Sequence, residues 1–579
     1  MLGLSSIYIV PEWQAPRNGI LFPPMPRKPR PPRPWRDLSQ PLPPSSGQAA
    51  AFEAAVDKQV VKILGALPLL LPLFQRLGLR EIVNRHLDPC AAEHDYGLVV
   101  LLLCLNRLLA PQPLVHVERW LEGTALPEVL GITADEFNDD RLALVLDALA
   151  PHLEAIWQEM VITAIITFDL DLSKLCYDIT SISFTGDYEQ AELVRYGYSR
   201  DRRPDRKQVE LALNVTVEGG VPIDYRVLAG NVADRTTPVD NLARLRELFS
   251  RLPQIDPGRP PVAPLFISDR AMITVESMFE YDKHKMRFLG PYDGGEAGKQ
   301  LLREVPADEL GEHPLDYRPQ RAAHDQSWQP YRGVLRTLDI DHPEQAQLPL
   351  RLQVLVTWSP AKAKLDAQLR ETNLERLEAI LKDLQGKLNR RPYIKRETVQ
   401  KRVNRLLNHH PARRFIEINL DGVDRALTLS WKRHEEAISE AAEIDGRYLL
   451  VTNDWTLAAD EMLRLSKRRD IPEKRFSTVK GPLEVRPVYV HKQERVLGLV
   501  FCSMVALLLY ALVELECARA NSPRSATATF EEFAALAVVV THFTDGTTLN
   551  RLSGVSPNLL ALFNVLRLPP IEHYTILSC

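Results

Sequence analysis

Cysteine is scarce in this sequence. The six that occur, Cys90, Cys104, Cys176, Cys502, Cys517 and Cys579, include no C-x-x-C pair. That absence argues against a paired-thiolate zinc site and a disulfide framework, and it fits a reducing compartment. Charge of one sign is lacking too: 71 Lys and Arg stand against 75 Asp and Glu, a net charge of −4. Affinity for a polyanion would therefore have to come from local clusters rather than bulk charge. No basic and apolar leader follows Met1, so no signal peptide is expected. Long hydrophobic runs are missing but for one, "LGLVFCSMVALLLYALV" at 497–513. Its 17 residues sit at the lower edge of what spans a bilayer. Gly498, Cys502 and Ser503 inside it, with "HKQER" before and Glu514 after, favour a buried core helix over a membrane anchor.

Proline is what the chain has in excess, and it is concentrated. Twelve of the 44 prolines fall within the first 48 residues, including "PPMPRKPRPPRPW". Such a stretch cannot bury a core, so residues 1–50 are expected to be a disordered extension. Residues 51–155 then follow a helical period, as in "DYGLVVLLLCLNRLLA" and "NDDRLALVLDALAPHLEAIWQEM", and predict a small all-α domain. The pair Asp139–Asp140 reads as the start of a helix, capped by Asn138 or Asp139 itself.

From 156 to 290 the period changes to two. "LSKLCYDITSISFTG", "KQVELALNVTVEGG" and "PIDYRVLAGN" predict a three-stranded meander with a hairpin at "EGGV". A helix with Pro238 in its first turn and a Thr cap follows, then a wholly apolar strand ("VAPLFISDR"), a helix and a fifth strand ("RFLGPYD"). Residues 291–440 interrupt this rhythm with strand-like pieces around a charged helix at 361–390, whose Leu374, Leu377, Leu381, Leu384 and Leu388 form a packing stripe. The core resumes at 441–520, and 521–579 reads as a helical tail.

Three acids stand where packing does not require them. Asp178 lies inside the first strand of the meander, Asp269 ends the apolar strand, and Glu473 is on the helix "EKRFSTVK". Each has a plain alternative. Asp178 could be an exposed strand residue, with Asp169 or Asp171 the relevant acid, although those two look like turn residues. Asp269 could cap the next helix, and Asp470-x-x-Glu473 has the spacing of a capping box. Brought together, the three carboxylates are chemically sufficient for two Mg²⁺ ions ~3.5–4 Å apart, since Mg²⁺ takes hard oxygen ligands. Lys480 lies seven residues after Glu473, about 20° away on the same helical face. Local basic clusters flank these acids: seven Lys and Arg between 464 and 480, and ten against one acid between 387 and 414. The loop "YSRDRRPDRKQ" is by charge alone a solvated hairpin, but beside a metal site its cations become phosphate contacts.

The order of elements with these acids resembles the RNase H-like core of DDE transposases from bacterial insertion sequences. Arg469, Glu473 and Lys480 match the spacing Tyr-x2-Arg-x3-Glu-x6-Lys of the IS-four family, and the insertion between the second and third acids is similar to that family's. "VKILGALPLLLPLFQRLGL", "YDITSISF", "GYSRDRRPDRKQ", "LAGNVADRTT", "ISDRAM", "DGRYLLVTN" and "EKRFSTVKGPLEVRPVY" resemble the sub-branch of the element numbered sixteen thirty-four. The likeness implies an α/β fold: a mixed five-stranded sheet with flanking helices, a β-rich insertion, and a DNA-binding all-α domain at the N-terminus. It implies Mg²⁺-dependent end cleavage and strand transfer, with Mn²⁺ as a substitute, by Asp178, Asp269 and Glu473 as catalytic metal ligands. Arg469, Lys480, Arg475, Arg200, Arg203 and Lys207 would meet DNA phosphates. The partners would be double-stranded DNA, both terminal inverted repeats and target, bound by a homodimer in the cytoplasm and away from any membrane. Ser466 departs from the pattern by standing at the Tyr position, as do Ala271 and Thr274 where Gly and an aromatic are common. A relict that binds DNA without cutting it is the alternative.

Overall fold

A computed structural model of the chain describes residues 55–575, apart from 88–94, 187, 190, 202, 234–235, 259–261, 320–321, 323, 327, 343–348 and 486–489. The expected extension at 1–50 lies outside the described residues. The strands are β1 (Val56–Ile63), β2 (Lys174–Ser183), β3 (Gln208–Thr216), β4 (Pro222–Ala229), β5 (Leu265–Ser268), β6 (Arg287–Tyr292), β7 (Arg332–Ile340), β8 (Leu350–Trp358), β9 (Ile416–Val423), β10 (Ala426–Arg433), β11 (Arg447–Thr452), β12 (Ala537–Phe543) and β13 (Thr548–Ser553).

The central sheet runs in the order β4-β3-β2-β5-β6-β11-β8-β7. β2, β5 and β6 are parallel, and the other neighbours are antiparallel. The first three strands form the expected meander. β3 turns into β4 through Gly219 and Gly220, whose φ of 71° and 58° lie where a side chain would be strained. All four residues of β5 are buried, as a strand covered by helices on both faces requires. A five-stranded sheet was expected, but the sheet has eight strands. β7 and β8 were expected to belong to the insertion; instead they extend the main sheet beyond β11. β8 is buried on both faces from Leu352 to Val356, so it could not have stood at the edge of a small separate module.

The inserted unit is accordingly shorter than 291–440. Its own hydrophobic cluster starts at Leu374 and ends at Ala441, and it joins the stripe Leu374, Leu377, Leu381, Leu384 to Val399 and Phe415. The stripe lies on the helix Pro360–Gly386 and packs with the β9–β10 hairpin.

The region 51–155 is mostly helical, and Asn138 caps the helix Asp139–Leu149 by accepting from the Arg141 N–H at 3.1 Å. It is neither all-α nor self-contained. β1 pairs with β12, and β12 with β13, so the expected helical tail contributes two strands and the two ends of the described chain share one sheet. The helices Tyr96–Leu109 and Asp139–Leu149 pack on Gln493–Arg519, the helix formed by the long hydrophobic run. A Cβ at Gly498 would meet Leu146 at 2.9 Å, so the glycine sets how closely those helices approach. Among the described residues Gln493–Arg519 is the one unbroken helix long and apolar enough to cross a membrane. Within the protein 94% of its apolar stretch is buried, as a core helix would be.

Because the second cluster is separate from the main one, damage to it should stay local. Leu381→Ala is expected to cost about 2–5 kcal/mol in the inserted unit. Hydrogen exchange should then speed up in Pro360–Gly386 and β9–β10 while β2, β5 and β6 keep their protection. Loss of protection throughout would show a single cooperative core.

Candidate active site

Strand alternation decides what Asp178 faces. Cys176, Asp178 and Thr180 project from one side of β2, toward the segment that carries Glu473. The Cys176 thiol donates to the Arg468 carbonyl at 3.4 Å, and the Thr180 hydroxyl accepts from Lys480 Nζ at 2.9 Å. Tyr177 and Ile179 project from the other side into a small cluster with Ala212 and Met272. There the Tyr177 hydroxyl donates to Thr237 Oγ1 at 2.9 Å. That bond corrects the expected Thr cap: the Thr237 side chain makes no cap contact with the helix Pro238–Ile255.

Asp269 directly follows the last residue of β5, the parallel neighbour of β2, at the carboxyl end of the strand. It is not needed as a cap, because Thr274 and Ser277 form a capping box on the next helix, Val275–Lys283. Glu473 sits in the first turn of the helix Ile471–Lys480. Its capping-box alternative fails, since Asp470 makes no side-chain cap bond and pairs with Lys474 at 2.9 Å. Asp171 does what a turn residue does, accepting from the Ser173 N–H at 2.8 Å.

All three acids line one cleft of about 460 Å³, together with Arg200, Asp201 and Lys480. Asp178 is the most enclosed of the three, while Asp269 and Glu473 are exposed. Burial pushes the Asp178 carboxyl up to about 7; the Ile179 N–H and Arg200 oppose this, and the charges of Asp269 and Glu473 add to it. A cluster of hard oxygens with one enclosed carboxyl suits a divalent cation in kind. Among the described residues, however, no three His, Cys, Asp or Glu stand close enough to close around one ion. The acids share a cleft without forming a finished ligand cage. Cations of the chain hold part of their place: Arg469 Nε lies 3.6 Å from Asp269, and Lys480 Nζ pairs with Asp201 at 2.9 Å.

The basic residues divide. Arg200 and Lys480 reach the cleft, and Arg469 reaches Asp269. Arg203 instead pairs with Asp205 inside its own loop, at 2.7 Å. Lys207 stands at the end of that loop, where its carbonyl accepts from the Phe184 N–H. Arg475 is a correction. Its guanidinium is buried, donating to the Gly219 and Gly220 carbonyls and to Glu514 at 2.7 Å, so it clamps the helix to the β3–β4 turn and is withdrawn from any phosphate. Ser466 is also buried, its hydroxyl donating to the Leu463 carbonyl at 2.8 Å. Sequence reading missed Asp201 as a cleft acid. The string "SRDRRPDR" does not distinguish an Asp that turns inward from one, Asp205, that pairs locally.

Two outcomes follow. Arg475→Ala should lower stability by about 2–4 kcal/mol by stranding buried carbonyls and Glu514, measured by chemical unfolding. An unchanged midpoint would show the clamp to be idle. Asp178 is favoured in its neutral form by folding. The stability it gives is present at low pH and is lost as pH rises from the ordinary carboxylate range to about 7. In metal-free buffer Asp178→Asn should gain on the unaltered protein in thermal stability across that window and hold a constant lead above it. A pH-independent difference would contradict the enclosed carboxyl.

Comparison with known proteins gives limited company. Residues 59–162, from β1 into the helix Leu153–Thr167, match the family model described as a domain of unknown function, DUF4277. No curated protein matches. Among solved structures, the cryo-EM structure of a piggyBac transposase synaptic complex with hairpin DNA aligns over 83% of this chain and 82% of that one. It does so at 8% identity and a TM-score of 0.37, too loose a likeness to bear on the chemistry.

Proposed function

We propose that this chain is a DDE-type transposase built on an RNase H-like core and related to the IS-four family, sub-branch of the element numbered sixteen thirty-four. The observation that carries the reading is the meeting of Asp178, Asp269 and Glu473, from two parallel strands and a packed helix, around one cleft beside Lys480. The strand order β4-β3-β2-β5-β6, with β3 reversed and β2, β5 and β6 parallel, supports it, being the order an RNase H-like core has.

In this reading Asp178, Asp269 and Glu473 would hold Mg²⁺, or Mn²⁺ in its place. When bound, such ions supply an activated water and stabilise the leaving oxygen of a phosphodiester. The chain's own residues do the rest. Lys480, fixed by Thr180 and Asp201, sets a positive charge at the cleft wall for a phosphate oxygen. Arg469, now on Asp269, is free to exchange that carboxylate for a phosphate once the acid has another counter-charge. Arg200, close enough to Asp178 to lower its carboxyl, is the third such cation. The reaction is nicking of double-stranded DNA at the terminal inverted repeats, then attack of the freed 3′-hydroxyl on target DNA, by a homodimer in the cytoplasm. Binding would weaken steeply with salt, as counterion release requires.

The rival reading, a relict that binds without cutting, draws on Ser466, which turns into the core where the family has a tyrosine. One assay separates the two. With a DNA duplex carrying the element ends, cleavage should appear on adding Mg²⁺ and should fall in Glu473→Gln by more than the ~100-fold typical of losing an outer-shell partner. Retained cleavage in that variant would refute the third ligand, and binding without any cleavage would establish the relict.

A further inference from the structure

Among the described residues Arg475 and Arg107 are both buried, and they are not provided for alike. Arg475 meets two carbonyls and the Glu514 carboxylate, so its charge is compensated. Arg107, in the last turn of the helix Tyr96–Leu109, donates to the Glu484 carbonyl at 3.1 Å and to the Gln112 carbonyl at 3.0 Å. That uses two of the five N–H groups a guanidinium carries. No carboxylate pairs with it among the described residues. Burial lowers its pKa, and among the charges that oppose this the one carboxylate, that of Glu484, stays exposed. The carbonyls and the end of its own helix offer partial charges only, about half a unit for a helix end. An arginine keeps its proton at any ordinary pH, so a full positive charge is buried here short of a counter-ion.

What lies beside it is space. Arg107 lines a cavity of about 500 Å³ between the helices Tyr96–Leu109, Asp139–Leu149 and Gln493–Arg519. A volume of that order suits a small organic molecule. Leu114, Val485 and Leu499 give the cavity an apolar wall. Lys492, which has no ion pair among the described residues, adds a second cation, whereas Arg495 is taken up by Asp147. Asp139 and Asp140, in the first turn of their helix, stand in the same wall. Two fixed negative charges so placed repel a polyanion, DNA included, but tolerate a single negative charge drawn to Arg107. We propose that this cavity binds a small organic monoanion, an apolar body carrying one carboxylate, which gives Arg107 its counter-charge. No residue lines both this cavity and the acid cleft, so the inference stands apart from the DNA reading.

The test titrates octanoate, its neutral analogue octanamide and inorganic phosphate into the full-length protein by calorimetry, without DNA and at constant ionic strength. Octanoate should bind. Octanamide, which lacks the charge, and phosphate, which lacks the apolar body, should each bind more weakly by about tenfold or more. Arg107→Met should weaken octanoate by about tenfold or more, the range for a hydrogen bond to a charged group. Lys492→Glu reverses an exposed charge without disturbing packing, and it should weaken octanoate several-fold, which keeps the test open if Arg107→Met does not fold. Octanoate affinity unchanged by either folded variant would place the ligand elsewhere and overturn the proposal. Octanamide or phosphate binding as well as octanoate would overturn it too, as would no binding of octanoate at all.

Discussion

Everything at the candidate site depends on how one short helix sits on one strand. The helix Ile471–Lys480 lies against the Cys176–Asp178–Thr180 face of β2, held at its far end by Lys480 on Thr180 and along its length by the Arg475 clamp. The clamp is the stronger device. A guanidinium that satisfies two carbonyls of a tight turn and a carboxylate of the core helix cannot shift without leaving buried groups unpaired. Since Glu473 and Lys480 are seven residues apart on that helix, fixing Arg475 and Lys480 also fixes the face that Glu473 presents. The third acid therefore reaches the cleft through packing established far from it.

The second constraint is electrostatic. Enclosing Asp178 beside two other acids makes its ionised form costly; Arg200 opposes this, while Arg469 and Lys480 pair with the neighbouring Asp269 and Asp201. These cations are also the ones suited to a phosphate backbone. Charges that balance internally are available for exchange when a metal and a polyanion arrive together. Under the proposed function, complementarity to a polyanion is local and does not require a basic net charge.

Much of this was legible in the residues. The apolar run before Asp269 and the leucine stripe at 374–388 are buried as their patterns implied, and 174–183 and 208–216 are the strands their alternation implied, though both are buried on both faces rather than on one. What the string concealed were relations between distant parts. That β7 and β8 join the main sheet depends on an available edge at β11, which no local pattern records. The pairing of β1 with β12 joins residues more than 470 positions apart, so both ends read as helical by default. Arg475 and Arg469 are equally basic in sequence, yet one is buried under a turn and the other faces the cleft rim. Arg475 lies on the helix Ile471–Lys480 and Arg469 in the 3-10 turn Lys467–Asp470 before it, and what each meets is set by how that segment docks, a tertiary fact.

The convergence of the three acids can be tested without knowing any DNA sequence. Fe²⁺ loaded in place of Mg²⁺ and treated with peroxide generates hydroxyl radicals that cut the backbone next to wherever the ion rests. The account predicts cuts grouped near residues 178, 269 and 473 in the same preparation, all three suppressed by excess Mg²⁺ and by Asp178→Asn. Cuts at only one of these segments, or a pattern indifferent to Mg²⁺, would show that the carboxylates do not serve a common ion and would contradict the account.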